Sequence, residues 1–307
     1  MIDLSRLPVP AVIEPLSHEQ LFQGFVTKFL EEWALARALD PTLPQYDVEP
    51  LETDPVVIVG QALSYLRLLD RQRVNDAIKA LLAPLSTGTN LDNVVARQGV
   101  GRLVVIPATS TSAAVMESDE SLLKRYFDSF ERFSAGSAAR YLYEARTAWP
   151  QSQGRTQGLW DARVNGHAVH GRRGDTDIVI AGPFGREATQ EELATVRAAV
   201  TAPWVQPEAV AVTVVNAKRH EYSVHLTLEV PRGPDPELIR NEAVARVERA
   251  AEARAIIGGE LPPAYLAGAA YGPSIIRVHD AAPVVFDADL YTIPVMTGLT
   301  INVEVRA

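Results

Sequence analysis

Residues 54–82 read DPVVIVGQALSYLRLLDRQRVNDAIKALL, and this stretch sets the plan of the chain. Apolar side chains recur at Val59, Leu63, Leu66, Val74, Ala77 and Leu81, the three-and-four spacing of one helical face. The spacing predicts a helix from about Asp54 to Leu82 with a bundle-like seam, interrupted by Asp70. Inside it, Asp70-Arg71-Gln72-Arg73-Val74-Asn75-Asp76 reads either as a solvated face or as a polar register element of an intermolecular bundle.

Upstream, Pro41, Pro44, Pro50 and Pro55 make residues 40–55 a stiff connector. Before that, Ser17 and Gln20 have capping-box spacing. Phe22, Phe25, Phe29, Trp33 and Ala36 follow at helical intervals and end at Asp40-Pro41. Residues 1–16 mix Leu4, Leu7, Val9, Val12 and Ile13 with Pro8, Pro10 and Pro15, so they read as an extended arm. Such an arm packs either on its own domain or on a neighbouring subunit.

Downstream, a short helix near Leu91–Gln98 leads to a β-branched run at Leu103–Ile106. Ser118-Asp119-Glu120 opens a helix whose expected buried face is Leu122, Leu123, Tyr126, Phe127 and Phe130. Another helix carries Tyr141, Leu142, Ala145 and Trp149. Residues 150–158 (PQSQGRTQG) hold nothing that builds a core and read as a linker. Beyond them strands are expected at Leu159–Val164, Asp177–Ala181, Ala209–Asn216, Tyr222–Val230, Ser274–His279 and Thr300–Val305. Helices are expected from Thr189 to about Val200, from Asp235 to about Ile257, and over Pro263–Tyr271. Pro283 and Pro294 fall in a long loop between the last two strands. The fold class is therefore α+β: an N-terminal helical region with its arm (1–105), then two small α/β sandwich-like modules, 106–217 and 218–307.

The chain has 307 residues, enough for about two domains. Hydrophobic residues make up 47% and charged residues 22%, which excludes a disordered or fibrous chain. A net charge of −9 offers no basic footprint for nucleic acid. With no cysteine there is no thiolate metal site and no catalytic thiol. The apolar run Leu261–Ile276 is too short for membrane insertion, and the N-terminus lacks the pattern of a signal peptide.

Catalytic patterns are thin. His167 and His170, with Asp177, could be nominated for a metal-dependent enzyme, although a solvated hairpin turn explains them with less effort. Arg173-Gly174-Asp175 reads as turn chemistry. Gly99-Val100-Gly101 lacks the setting of a dinucleotide loop. Ser121 and Lys124 have Ser-x-x-Lys spacing without its companion motifs. Asp287 and Asp289 have no assignable catalytic partner. No cofactor is implied.

Read in order, the segments resemble the baseplate J family of contractile phage tails. The run carrying the resemblance starts with the arm Ile2-Asp3-Leu4-Ser5-Arg6-Leu7-Pro8 and Asp54-Pro55. It continues through Arg71-Gln72-Arg73-Val74-Asn75, Gly88, Leu91-Asp92, Glu117-Ser118-Asp119, Arg125, Gly136-Ser137 and Tyr141. Gly233-Pro234-Asp235 with Ile239 fits the same pattern, while Gln206-Pro207 stands where Arg-Pro is expected. The resemblance implies a structural, non-catalytic wedge component in the tail baseplate of a virion or phage-tail-like particle, made in the bacterial host cytoplasm. It implies assembly with copies of itself and a smaller wedge protein through a helical bundle. Further expected partners are a sheath-initiator-like baseplate protein and central hub or spike proteins. On that reading Val59, Leu63, Leu66, Arg71, Arg73, Val74, Asn75 and Leu81 would meet partners, and 159–307 would carry ring contacts. Phage, bacteriocin and injection machine stay open.

Overall fold

A computed structural model describes residues 10–46, 52–233 and 235–306. Most of the arm, Ile2–Pro8 included, and Pro234 lie outside the described residues. The chain divides into two compact units, 1–94 and 95–307.

In the first unit, α1 (His18–Leu39) and α2 (Pro55–Leu81) form an antiparallel hairpin. Ser17 caps α1 by accepting the Gln20 amide at 3.3 Å, and Asp54 caps α2 by accepting the Val56 amide at 2.9 Å. Pro55 occupies the first turn of α2, where its missing N–H costs nothing. α3 (Gly88–Ala96) follows a 3-10 turn at Ala83–Leu85.

The second unit is α+β. Strands β1 (Val104–Ile106) and β2 (Val115–Met116) pair as a small ribbon ahead of α4 (Asp119–Ser129) and α5 (Ala138–Ala148). β3 (Asp161–Asn165), β4 (Asp175–Ala181) and β5 (Ala211–Asn216) form a sheet in that order, antiparallel then parallel. α6 (His167–His170) bridges β3 and β4, and α7 (Gln190–Val200) connects β4 to β5. The run Asp177–Ala181 explains the position of β4. Ile178 and Ile180 face α5 and α7, while Val179 and Ala181 face Trp160, Ile293 and Val295 on the other side.

The last sheet has the order β7-β6-β8, with β6 Lys218–Val230, β7 Arg277–Asp280 and β8 Thr292–Val305. α8 (Pro236–Arg254) and α9 (Tyr265–Ala270) cover one face, burying Leu226, Leu228, Val247, Ala251 and Leu266 together. Among the described residues, no helix is long and apolar enough to cross a membrane.

Several sequence expectations are corrected. Residues 150–158 are no linker: Gln151 and Ser152 are buried, and Ser118 N–H donates to the Gln151 carbonyl at 2.9 Å. Backbone pairing with Met116–Ser118 fixes this segment, so the lack of apolar side chains says little about its order. On α4 the buried line is Ser121, Leu122, Arg125, Asp128 and Ser129, while Phe130 is exposed. The last strand begins at Thr292 and contains Pro294, which an edge strand tolerates because one side of its backbone needs no donor. Strands β6 and β7 and the helical turn α6 also depart from the expected spans.

Candidate assembly interface

The hairpin is built by a size match between its helices. Gly60 and the buried Ser64 turn small side chains toward α1, and a Cβ on Gly60 would collide with the Phe25 ring. Val57 and Asn75 complete the buried line of α2. Phe29 and Trp33 stack at 5.9 Å between centroids, and Tyr46 meets both edge-on. The Tyr46 hydroxyl donates to Asp54 and, with the Val56 amide, holds that carboxyl below its usual range.

The predicted seam lies on another line. Val59, Leu63, Leu66, Val74 and Leu81 are 49–62% exposed, and Ala77 and Arg73 are exposed with them. Val59, Leu63 and Val74 lie one residue, roughly 100°, round the helix from the buried Gly60, Ser64 and Asn75. Ile58, Tyr65 and Leu69 widen the strip, and Leu30, Leu35 and Leu39 add exposed apolar surface on α1. An open groove of about 590 Å³ runs between the helices, walled by Leu21, Gly24 and Phe25 from α1 and Leu63, Leu66 and Asp70 from α2.

Two of the nominated residues have partners inside the chain. Asn75 donates to the Glu14 carbonyl at 2.9 Å and accepts the Glu14 amide at 3.2 Å. Arg71 pairs with the Glu14 carboxylate. The polar run 70–76 thus pins the described end of the arm onto α2. Sequence reading missed the Gly60–Ser64 contact line. Its signal was two small residues four apart, on the helix opposite an aromatic stripe.

Among the remaining motif residues, Glu117, Asp119 and Arg125 are joined by polar contacts within the second unit. Glu117 and Arg125 are buried and pair at 2.6 Å. Glu117 also accepts the Ser121 hydroxyl at 2.8 Å and the Leu103 amide at 3.1 Å. Arg125 donates onward to the Gly101 carbonyl at 3.1 Å and the Thr147 hydroxyl at 3.2 Å. Burial pushes the Glu117 carboxyl up against the lowering pull of Arg125. Arg102 clasps the Glu117 carbonyl at 2.7 Å and Asp119 at 2.6 Å. Ser118 and Ser137 cap α4 and α5. Gly136 takes φ +77°, with Pro207 so close that a Cβ would stand 2.7 Å from its ring. Tyr141 and Leu91 are buried, and Gly88 opens α3 at φ +55°. Gln206 donates through its side chain to the Val210 carbonyl, a local turn contact.

The histidine site is occupied by other chemistry. His170 meets the Asn165 carbonyl at 3.1 Å and accepts the Arg172 amide at 3.1 Å. Arg172 holds both Asp177 oxygens at 2.7 and 2.6 Å, and the Tyr291 hydroxyl donates to Asp177 at 2.6 Å. Burial raises the Asp177 carboxyl, but Tyr291 and Arg172 outweigh it and hold it low. Among the described residues no three His, Cys, Asp or Glu side chains come together as a metal site.

Two comparisons with known proteins bear on the family of the chain. The Baseplate J-like N-terminal domain family matches residues 52–109, which contain Asp54, Pro55, Gly88, Leu91 and Asp92. Baseplate protein J of Escherichia phage P2 is 32% identical over 294 residues, covering 92% of this chain and 91% of that protein. Likeness at that level, over 92% of the chain, means that the chain belongs to the baseplate J family.

Proposed function

We propose that this chain is a structural wedge component of a contractile-tail baseplate, and that the α1–α2 hairpin is where it joins its neighbours. The observation that carries the reading is the open seam Val59, Leu63, Leu66, Val74 and Leu81 on a helix whose neighbouring line is already packed. Monomeric soluble proteins rarely leave a contiguous apolar strip of this kind in water. A helix laid into the groove, from a smaller wedge protein or a second copy, would cover it in the helix-in-groove manner. Arg71 and Asn75 would act beside that contact by holding the arm, and Arg73 would border it. Residues 159–307 would supply ring contacts around a central hub. The work is mechanical: wedges shift as rigid bodies when the sheath contracts.

The test replaces Leu63 and Leu66 with Asp in the full chain. Co-purification with the wedge partner should be lost while the circular dichroism of residues 95–307 is retained. Partner binding that survives both changes removes the hairpin assignment. Immunogold labelling of induced lysates places the protein: gold should sit at the distal end of contractile tails. Whether the labelled particles carry heads separates a phage from a headless device.

A further inference from the structure

Strand β8 is fourteen residues long and, among the described residues, pairs with β6 on one side only. Its first half is protected. Pro294 has no N–H to offer, Val295 is covered by the Pro183–Gly185 turn, and the register shifts between Met296 and Gly298. The second half has none of these devices. From Gly298 to Val305 it carries a single charge, Glu304. The backbone groups there that point away from β6 meet no backbone partner among the described residues. Folded proteins ordinarily blunt such an edge with lysine, proline or a bulge, because it templates another strand.

We infer that the Gly298–Val305 edge of β8 is a strand-addition site for the same edge of a second copy of this chain, antiparallel and centred on Ile301. The side chains suit this occupant and this register. Leu299, Ile301 and Val303 pack on the core face, whereas Thr300, Asn302 and Glu304 face solvent. In an antiparallel pair about Ile301, Leu299 lies opposite Val303 of the second copy, and Ile301 lies opposite itself. Thr300 lies opposite Asn302, and Glu304 lies opposite Gly298. Apolar meets apolar, hydroxyl meets amide, and no like charges face each other. A one-residue slip would put the core face of one strand against the solvent face of the other. The pairing is isologous, so it closes at two copies and yields a sheet in the order β7-β6-β8-β8-β6-β7. It rests on the strand edge alone and is independent of the hairpin's role.

The experiment uses the full chain with Leu63→Asp and Leu66→Asp, so that hairpin contacts play no part. Sedimentation should give twice the 33.4 kDa chain mass. Thr300→Glu with Asn302→Glu sets carboxylates opposite one another twice, and should halve that mass. Thr300→Lys with Asn302→Glu sets opposite charges there and should restore it. Because the chain has no cysteine, the register is read by disulfide capture. Thr300→Cys protein mixed with Asn302→Cys protein should crosslink under mild oxidation, and neither should do so alone. A monomer with no crosslink, a dimer indifferent to the Glu pair, or equal crosslinking of the single variants each overturns the inference.

Discussion

Replacing Arg125 with Met leaves the Glu117 carboxylate buried with two neutral donors, the Ser121 hydroxyl and the Leu103 amide. The Gly101 carbonyl also loses its Arg125 donor, while Thr147 keeps its bond to the Tyr143 carbonyl. Stranding one member of a buried pair typically costs about 3–5 kcal/mol, a large share of the ~5–15 kcal/mol that holds a domain together. The pH dependence identifies the cause. Burial already raises the Glu117 carboxyl above its ordinary 4.5, and removing Arg125 takes away the largest opposing pull. A carboxyl whose folded pKa exceeds its unfolded value favours the fold at pH below both values, and that contribution is lost as pH rises through the folded value. The deficit of Arg125→Met should therefore be largest at neutral pH and shrink toward pH 4.5, by about 1.4 kcal/mol per unit of added shift. Adding Glu117→Gln removes the charge and should recover most of the loss at neutral pH. Urea unfolding followed through Trp149 and Trp160 measures all three proteins. A neutral-pH loss below about 1 kcal/mol, or a deficit that grows with acid, refutes the reasoning.

Gly136→Ala should destabilise by about 2–4 kcal/mol, because it combines a left-handed backbone with collision against Pro207. Gly99→Ala has a similar φ of +66° but open space around it, and should cost only about 1–2 kcal/mol in the same thermal melts. Tyr291→Phe removes a hydrogen bond to the Asp177 carboxylate and should cost about 1–2 kcal/mol at neutral pH. Asp177 is held below its ordinary 3.8, so its contribution is present above that value and is lost as pH falls through the folded one. The difference between wild type and Tyr291→Phe should accordingly fade in acid, in the same direction as for Arg125→Met but only below pH 3.8, where Asp177 begins to take up its proton.

Periodicity exposed the helices because their stripes are long: Ser17 and the Phe22–Trp33 stripe located α1 to within a residue of its start. It could not say which face is buried. The seam at Val59–Leu81 is the more apolar line of α2, yet the chain itself packs Val57, Gly60 and Ser64. Contact with α1 there depends on small size, which a hydrophobic pattern does not register. The same blindness hid α4's buried line, where Arg125 and Asp128 lie inside because Glu117 and Arg146 neutralise them. Long-range backbone pairing was also invisible: Gln151 and Ser152 are ordered by Met116–Ser118, some thirty-five residues upstream. Motif order drew attention to the hairpin and to the Glu117–Arg125 pair, but it did not show that Arg71 and Asn75 hold Glu14 inside the chain.

The magnitude of the open seam decides how much of the hairpin a partner must engage. Val59, Leu63, Leu66, Val74 and Leu81 are already about half covered, so burying the rest contributes roughly 1 kcal/mol each. Five such side chains give about 5 kcal/mol, near the lower end of the ~4–15 kcal/mol that association costs. The seam alone therefore sits near break-even, and binding must draw on the groove walls and the exposed leucines of α1 as well. Gly60→Val separates the two contributions, because it leaves every seam side chain in place. A larger side chain there drives the Phe25 ring off α2 and splays the groove. Partner capture should then fall as far as it does for Leu63→Asp with Leu66→Asp, while residues 95–307 keep their melting temperature. Capture at wild-type strength by Gly60→Val would mean that α2 binds by itself, and that the groove between the helices contributes nothing.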